Sequence, residues 1–172
     1  RISQGERLQC FKDLTGGIFH EIGPLIDGII HPIKKEPVDY EIIIKNWHSL
    51  SEKIKGVLRK LRIFMGGKIP DEFTKQLQEI NRSLDFQISE GDNIISGLKN
   101  CSDYKVDENN IKQCISQIEL IAKRIYDLIY NEKAGVRRLL ENFKTDIKTV
   151  ISRVIQQQSN DLSSKIIKYE RE

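Results

Sequence analysis

Apolar side chains recur three and four residues apart along most of this chain, a pattern typical of amphipathic helices packed side by side. In the N-terminal stretch the repeat consists of Leu8, Phe11, Ile18, Ile22, Leu25 and Ile29, with Thr15 as its one polar member. The next stretch carries an entirely apolar repeat, formed by Ile43, Trp47, Leu50, Ile54, Val57, Leu61 and Phe64. Both repeats have the a/d spacing of helices that share a seam.

Glycine and proline residues mark where the first predicted helices end. The first helix is predicted over about Ser3 to Ile30, with a kink at Pro24, and a loop is predicted from His31 to Asp39. The second helix is predicted over Tyr40 to Met65, because Gly66 and Gly67 follow it as a C-terminal cap.

Further helical stretches are predicted in the second half of the chain. A third helix is predicted from Asp71, with an apolar stripe that reaches Leu98, and Asn100 to Asp107 is predicted to be a polar connection. The fourth helix is predicted to run from Glu108 to Phe143 and the fifth over about Thr145 to Gln158. The last stretch, Ser164 to Arg171, fits either a helix end or a short strand.

These elements predict an all-α protein of long antiparallel helices packed as bundles. The first two helices form a predicted hairpin over residues 1–68, and residues 69–172 form a helical extension. Because long seams on only two helices leave apolar surface uncovered, we expect a second copy of the chain to cover it, which predicts a homodimer. Either helix 39–65 or helix 108–143 could pair with the first helix, and 39–65 is preferred because its seam matches in period and length.

The composition excludes several classes of protein. The 172 residues are 38% hydrophobic and 31% charged, which suits a folded domain with a charged surface and excludes a largely disordered chain. A net charge of +3 gives no reason to expect binding to nucleic acid. No apolar run reaches the roughly 18 residues of a membrane-spanning helix. Three cysteines without metal-site spacing indicate a reducing cytoplasm and no metal site.

His20 stands apart from the seam of its predicted helix. At about 100° per residue it lies roughly 200° around the helix axis from Ile18, so it points away from the packed side. The face around it is formed by small or acidic residues, namely Asp13, Gly16, Gly23, Pro24 and Asp27. An accessible imidazole next to the carboxylate of Glu21 has the chemistry of a nucleophile that works near neutral pH.

The segment Phe11 to Ile30, FKDLTGGIFHEIGPLIDGII, resembles the phosphoacceptor helix of a sensor histidine kinase. The motif of that family begins with histidine, an acidic and an aliphatic residue, matched by His20-Glu21-Ile22, and ends in the pair matched by Pro24-Leu25. The segment Asp39 to Lys68 is similar to the second helix of the family's hairpin, and the resemblance implies that two such hairpins pair into a dimeric four-helix bundle. The resemblance implies that His20 accepts the γ-phosphoryl group of ATP, and that Glu21 hydrogen-bonds the imidazole and helps to remove its proton.

The chain departs from the family pattern at several points. Only Gly23 separates the aliphatic position from the proline, where the family usually has two residues. Pro24 occupies the position that is often linked to dephosphorylation, which puts phosphatase activity in doubt. The glycine-rich elements of an ATP-binding domain do not occur in the sequence. We therefore expect this segment to bind no cofactor itself, and ATP to enter only through a catalytic domain elsewhere in a longer protein.

The resemblance implies the dimerisation and histidine-phosphotransfer region of a histidine-kinase-like signalling protein. Its expected partners are a second copy of the chain, an ATP-binding kinase domain, and a receiver-domain protein whose aspartate takes the phosphoryl group from His20. The residues alone also allow a non-catalytic helical module that oligomerises or docks a partner through its seams. A third hypothesis is a degenerate kinase that only transmits conformational signals.

Overall fold

The computed structural model describes residues 4–67, 69–104, 108–131 and 135–171, and within them all regular structure is helical. The predicted all-α class is thereby confirmed. The elements are α1 (Gln4–Asp13), a π-helical turn (Leu14–Ile18), α2 (Phe19–Ile33), α3 (Tyr40–Met65), α4 (Asp71–Tyr104), α5 (Glu108–Tyr130) and α6 (Val136–Arg171).

Helices α2 to α5 pack into a four-helix bundle within one chain. Each of them contacts the next helix along the sequence, and α5 packs back against α2, which closes the ring of four. Contacts of Glu21 with Lys53 and of Gly28 with Asn46 show that α2 and α3 run antiparallel. Helix α1 packs along α3. The preferred hairpin pair of the N-terminal helix with helix 40–65 is therefore present, and α5 also contacts α2.

The predicted seam of α3 lies in the centre of the core. All seven of its apolar residues are buried, and its largest side chain, Trp47, has no exposed surface. The predicted bounds of this helix are confirmed: the Asp39 side chain accepts a hydrogen bond from the Ile42 backbone N–H at 3.2 Å, and the chain leaves the helix at Gly66. A complete apolar repeat between an N-cap aspartate and a C-terminal glycine strongly favours a helix with these bounds.

In the seam predicted for the first helix, Phe11, Ile22 and Ile29 are buried as predicted, whereas the other positions are not. Leu14 and Phe19 are buried in place of the predicted Thr15 and Ile18, and Leu8 is exposed. Between these positions the helix is kinked at Gly17, whose φ of 156° and ψ of −15° are not helical. The predicted single helix is therefore two helices joined by the turn that contains Gly17.

The apolar surface of the first two helices, from which a second copy of the chain is expected, is covered by other helices of the same chain. Helix α4 contributes Leu77, Ile80, Leu84, Ile88, Ile95 and Leu98 to the core, and α5 contributes Ile115, Ile118, Ile121, Ala122, Ile125 and Ile129. These helices take the places that a partner hairpin is expected to fill. The bundle is thus complete without a second copy, and the homodimer stays a prediction that no longer rests on an uncovered seam.

Several predicted helix ends are wrong in the second half of the chain. Helix α4 continues to Tyr104, through the predicted start of a polar connection, and the predicted helix 108–143 is interrupted between Tyr130 and Val136. At this interruption a Cβ on Gly135 would lie 2.7 Å from the backbone nitrogen and oxygen of Asn131, so the turn requires glycine. Helix α6 then continues to Arg171, because no glycine or proline follows to end it. The strand alternative for the last stretch is wrong.

Contacts within the chain define two compact units, Arg1–Leu139 and Leu140–Glu172. The first unit contains α1 to α5 with the start of α6, and the second unit is the remainder of α6. Helices α3 and α4 lie on opposite sides of the predicted boundary at residue 68, and they contact each other. The helices of the predicted hairpin therefore share one core with α4 and α5. The assignment of residues 1–68 to dimerisation and phosphotransfer stays a prediction.

A polar cluster is built into the contact between α3 and α4. One carboxylate oxygen of Asp92 accepts hydrogen bonds from the Trp47 indole N–H at 2.8 Å and from the Ser51 hydroxyl at 3.0 Å. Its other oxygen lies 3.3 Å from the Lys55 ammonium group. Because the indole N–H of a buried tryptophan needs an acceptor, Asp92 allows Trp47 to occupy the core.

Candidate functional site

His20 is the second residue of α2, and its side chain is exposed. Its neighbours Phe19 and Ile22 are buried, with 4% and 0% of their surface accessible, so the helix packs through the face that His20 does not share. The expected outward position of the imidazole is therefore found. A group approaching from solvent can reach the ring without moving the core.

The turn that precedes α2 is kinked at Gly17. Gly17 in this turn has φ 156° and ψ −15°, a backbone conformation that residues with a side chain rarely adopt. Gly17 thus supports a local geometry that buries Phe19 and leaves His20 outside.

Glu21 is paired with a residue of α3. Its carboxylate lies 2.6 Å from the ammonium nitrogen of Lys53, and the two side chains are 56% and 45% exposed. The resemblance implies that this carboxylate hydrogen-bonds the His20 imidazole, whereas here it accepts from Lys53. An ion pair this exposed is worth at most about 1 kcal/mol, so the carboxylate can exchange partners at low cost.

The other residues predicted around His20 fall into two groups. Gly16, Pro24 and Asp27 are exposed, and a Cβ added to Gly16 would meet no atom within 4 Å. Asp13, in contrast, accepts hydrogen bonds from Lys60 and from Gln9, each at 2.8 Å. The bond from Lys60, followed by that from Gln9, lowers the pKa of Asp13 below its usual value. Asp13 therefore joins α1 to α3 and is engaged away from the imidazole.

Tyr130 of α5 is a residue of this region that the sequence did not indicate. Its hydroxyl donates a hydrogen bond to the backbone carbonyl of Phe19, the residue before His20. Burial raises the pKa of Tyr130, and a hydrogen bond with the Gly23 backbone acts in the opposite direction. The two partners are 111 residues apart in the chain, and no local pattern signals such a contact.

Neither a metal-binding group nor a membrane-spanning helix is found in the part of the chain that the structure describes. No three histidine, cysteine or acidic side chains there converge on a possible metal position. None of the described helices has both the length and the apolar character required to cross a bilayer.

A cavity of about 350 Å³ lies between α2 and α5, lined by Ile26, Asp27, Ile30, Lys123, Tyr126 and Asp127.

Comparisons of the chain with protein-family models, with curated proteins and with solved structures found no match. The resemblance to a phosphoacceptor helix therefore rests on the residues of the His20 motif and on the pattern of the helix that follows. The catalytic roles of His20 and Glu21 remain predictions.

Proposed function

We propose that this chain is the histidine-phosphotransfer region of a histidine-kinase-like signalling protein. His20 accepts a phosphoryl group that originates from ATP, and a receiver-domain aspartate then takes it. The observation that carries this proposal is an exposed imidazole on α2, whose buried face packs in a four-helix bundle. The free approach to His20 is what transfer between two protein surfaces requires.

In the first transfer, a ring nitrogen of neutral His20 attacks the γ-phosphorus of ATP held by a separate kinase domain. A nitrogen–phosphorus bond forms, the bond from the γ-phosphorus to the bridging oxygen breaks, and ADP leaves. The remaining imidazole proton passes to Glu21 or to water. In the second transfer, an aspartate carboxylate attacks the phosphorus, the nitrogen–phosphorus bond breaks, and the imidazole regains a proton.

The bundle of α2 to α5 supports a phosphotransfer unit that is complete in one chain. A homodimer, which the resemblance implies, would form through a surface other than the core seams. We place this unit in the cytoplasm, where ATP is available and where the thiol of Cys10 stays reduced. Nothing in this proposal requires the chain to hold ATP itself.

The test is phosphorylation of the chain by an active histidine-kinase catalytic domain with γ-labelled ATP. We expect label that is stable to base and labile to acid, and we expect its loss in His20→Gln. His31→Gln and His48→Gln are matched controls, because both remove exposed histidines of the same chain. Label that persists in His20→Gln, or its absence from the unaltered chain with this donor and with phosphoramidate, contradicts the proposal.

A non-catalytic docking module is the alternative, and one observation favours it. In the second unit, Ile155 and Leu162 are 60% and 61% exposed, and their seven-residue spacing places them on one side of α6. Exposed apolar residues along one helix side are typical of a surface that meets another helix. An unlabelled chain in the experiment above would leave this alternative as the better interpretation.

A further inference from the structure

The turn of α2 that carries His20 lacks part of its own hydrogen bonding. Pro24 has no backbone N–H, so the carbonyl of His20 receives no bond from the residue four positions later. The carbonyl of Phe19 beside it accepts the hydroxyl of Tyr130. A donor from α5 therefore binds α2 at the turn that the proline weakens.

Gly23 provides the space for this contact. A Cβ at Gly23 would lie 3.3 Å from the Tyr130 hydroxyl oxygen, which is tighter than ordinary contact, and 3.8 Å from its Cζ, which is an ordinary contact. The Gly23-Pro24 pair, where the chain departs from the family pattern, thus has a structural role. Glycine admits the tyrosine, and proline leaves a turn that an external donor stabilises.

Tyr130 is itself held in place from more than one side. Its ring centroid is 4.8 Å from that of Tyr126, with a tilt of 40° between the ring planes. The Arg137 guanidinium carbon lies 6.0 Å from the ring centroid, at the outer limit of a cation–π contact. Tyr130 is also the last residue of α5, immediately before the turn that requires Gly135. The hydroxyl is therefore presented to α2 by a restrained ring.

We propose that Tyr130 is a positioning residue, which holds the His20 turn and thereby sets the direction in which the imidazole meets a phosphoryl donor. Its role in transfer rests on the proposed function of His20, whereas its hold on the turn does not. Tyr130 acts through the backbone of Phe19 and touches no reacting atom.

The test compares Tyr130→Phe, which removes only the hydroxyl, with Tyr126→Phe, which removes the hydroxyl of the adjacent exposed ring. We expect the Gly23 amide to exchange about tenfold faster with solvent in Tyr130→Phe, because its turn opens more often. We also expect the His20 ring resonances to shift, and the rate of phosphorylation by the kinase domain to fall about tenfold. Tyr126→Phe should change none of these quantities.

A second variant tests the same contact from the side of α2. Gly23→Ala crowds the hydroxyl, and we expect it to reproduce the effects of Tyr130→Phe on Gly23-turn exchange and on the His20 resonances. In the double variant the second substitution should add little, because both remove one interaction. Unchanged His20 resonances and unchanged amide exchange in Tyr130→Phe would overturn the proposal, as would additive effects in the double variant.

The two proposals fail in different ways. If the unaltered chain accepts no phosphoryl group while Tyr130→Phe still alters the His20 turn, the phosphotransfer function is wrong and the positioning role stands. If the unaltered chain is phosphorylated and Tyr130→Phe changes neither the rate nor the resonances, the positioning role is wrong and the function stands.

Discussion

Glu21 contacts Lys53 of α3, whereas its proposed role is toward the imidazole of the preceding residue. The structure places its carboxylate 2.6 Å from Lys53. If Glu21 assists His20 in proton transfer, Lys53 competes for the same carboxylate. At the scale of single residues, the reactivity that we propose for the motif would therefore depend on a side chain outside it.

We predict that Lys53→Met raises the rate at which His20 is phosphorylated, by up to about fivefold, because an exposed pair of this kind is worth up to about 1 kcal/mol. The free energy of unfolding should change by less than about 1 kcal/mol for the same reason. Lys45→Met, on the same helix, is the control. A rate that falls, or that rises equally in both variants, would show that Lys53 does not restrain Glu21.

Tyr130 gives the stability of the bundle a pH dependence in the alkaline range. Burial raises its pKa above the ordinary value of 10.0, so the folded state favours the neutral phenol. That contribution is fully present below pH 10 and is lost as the pH rises through the folded pKa. We expect urea unfolding between about pH 8 and pH 11 to show a smaller decline in Tyr130→Phe than in the unaltered chain. Equal declines would contradict this assignment.

At the scale of elements, glycines decide how the helices of the first unit bend and approach. Gly17 supports the π-helical turn, and Gly91 of α4 lies against the indole ring of Trp47. Two other glycines of the same elements, Gly16 and Gly97, have open space where a Cβ would be placed. Gly16→Ala is therefore the control for Gly17→Ala, and Gly97→Ala is the control for Gly91→Ala.

For the turn before α2, we predict that Gly17→Ala lowers the free energy of unfolding by about 1–3 kcal/mol, because alanine is strained in this backbone conformation. It should also reduce phosphorylation of His20, since a change in the turn rotates α2. Gly16→Ala should cost little or stabilise the protein. Urea unfolding followed by circular dichroism measures the difference, and similar values for both variants would refute the assignment.

For α4, we predict that Gly91→Ala is strongly destabilising. Its Cβ would lie 2.0 Å from Cζ2 of Trp47, so the ring or the helix must move, at a cost of about 1–3 kcal/mol or more. Gly97→Ala should instead stabilise α4 by roughly 0.5–1 kcal/mol, because alanine favours the helix and nothing obstructs it. Thermal unfolding of the two variants should shift in opposite directions, and a shared direction would argue against the Trp47 contact.

At the scale of the whole molecule, the central question is whether one chain or two complete the core. The first unit buries the seam of α3 with its own helices, and α5 closes the ring on α2. The second unit, by itself, is a helix whose side chains at positions 155–163 are exposed. Folding of the first unit is therefore expected to depend on the chain alone.

We predict that the urea midpoint of the unaltered protein stays constant over about a hundredfold range of protein concentration, because folding is not linked to association. Leu50→Asp should destabilise the bundle by about 3–5 kcal/mol, since it places an unpaired charge at a fully buried position. Leu25→Asp, at a half-buried position of α2, should cost less. A midpoint that rises with concentration would instead show that association of two copies contributes to the stability of the folded chain.

Local periodicity accounts for much of what the sequence alone determined. The uninterrupted apolar repeat from Ile43 to Phe64 predicts a buried helix, and its two end signals predict the correct bounds. The exposed position of His20 follows similarly from its distance around the helix from the apolar residues. Such features depend on residues within a few turns of one another, so they can be predicted from the sequence.

The tertiary structure decided which surfaces meet. Periodicity shows that α4 and α5 each have an apolar face, but does not show that these faces cover α2 and α3 of the same chain. The contacts of Lys53 with Glu21 and of Tyr130 with Phe19 join residues 32 and 111 positions apart. Each depends on packing between distant segments, which a local repeat does not encode.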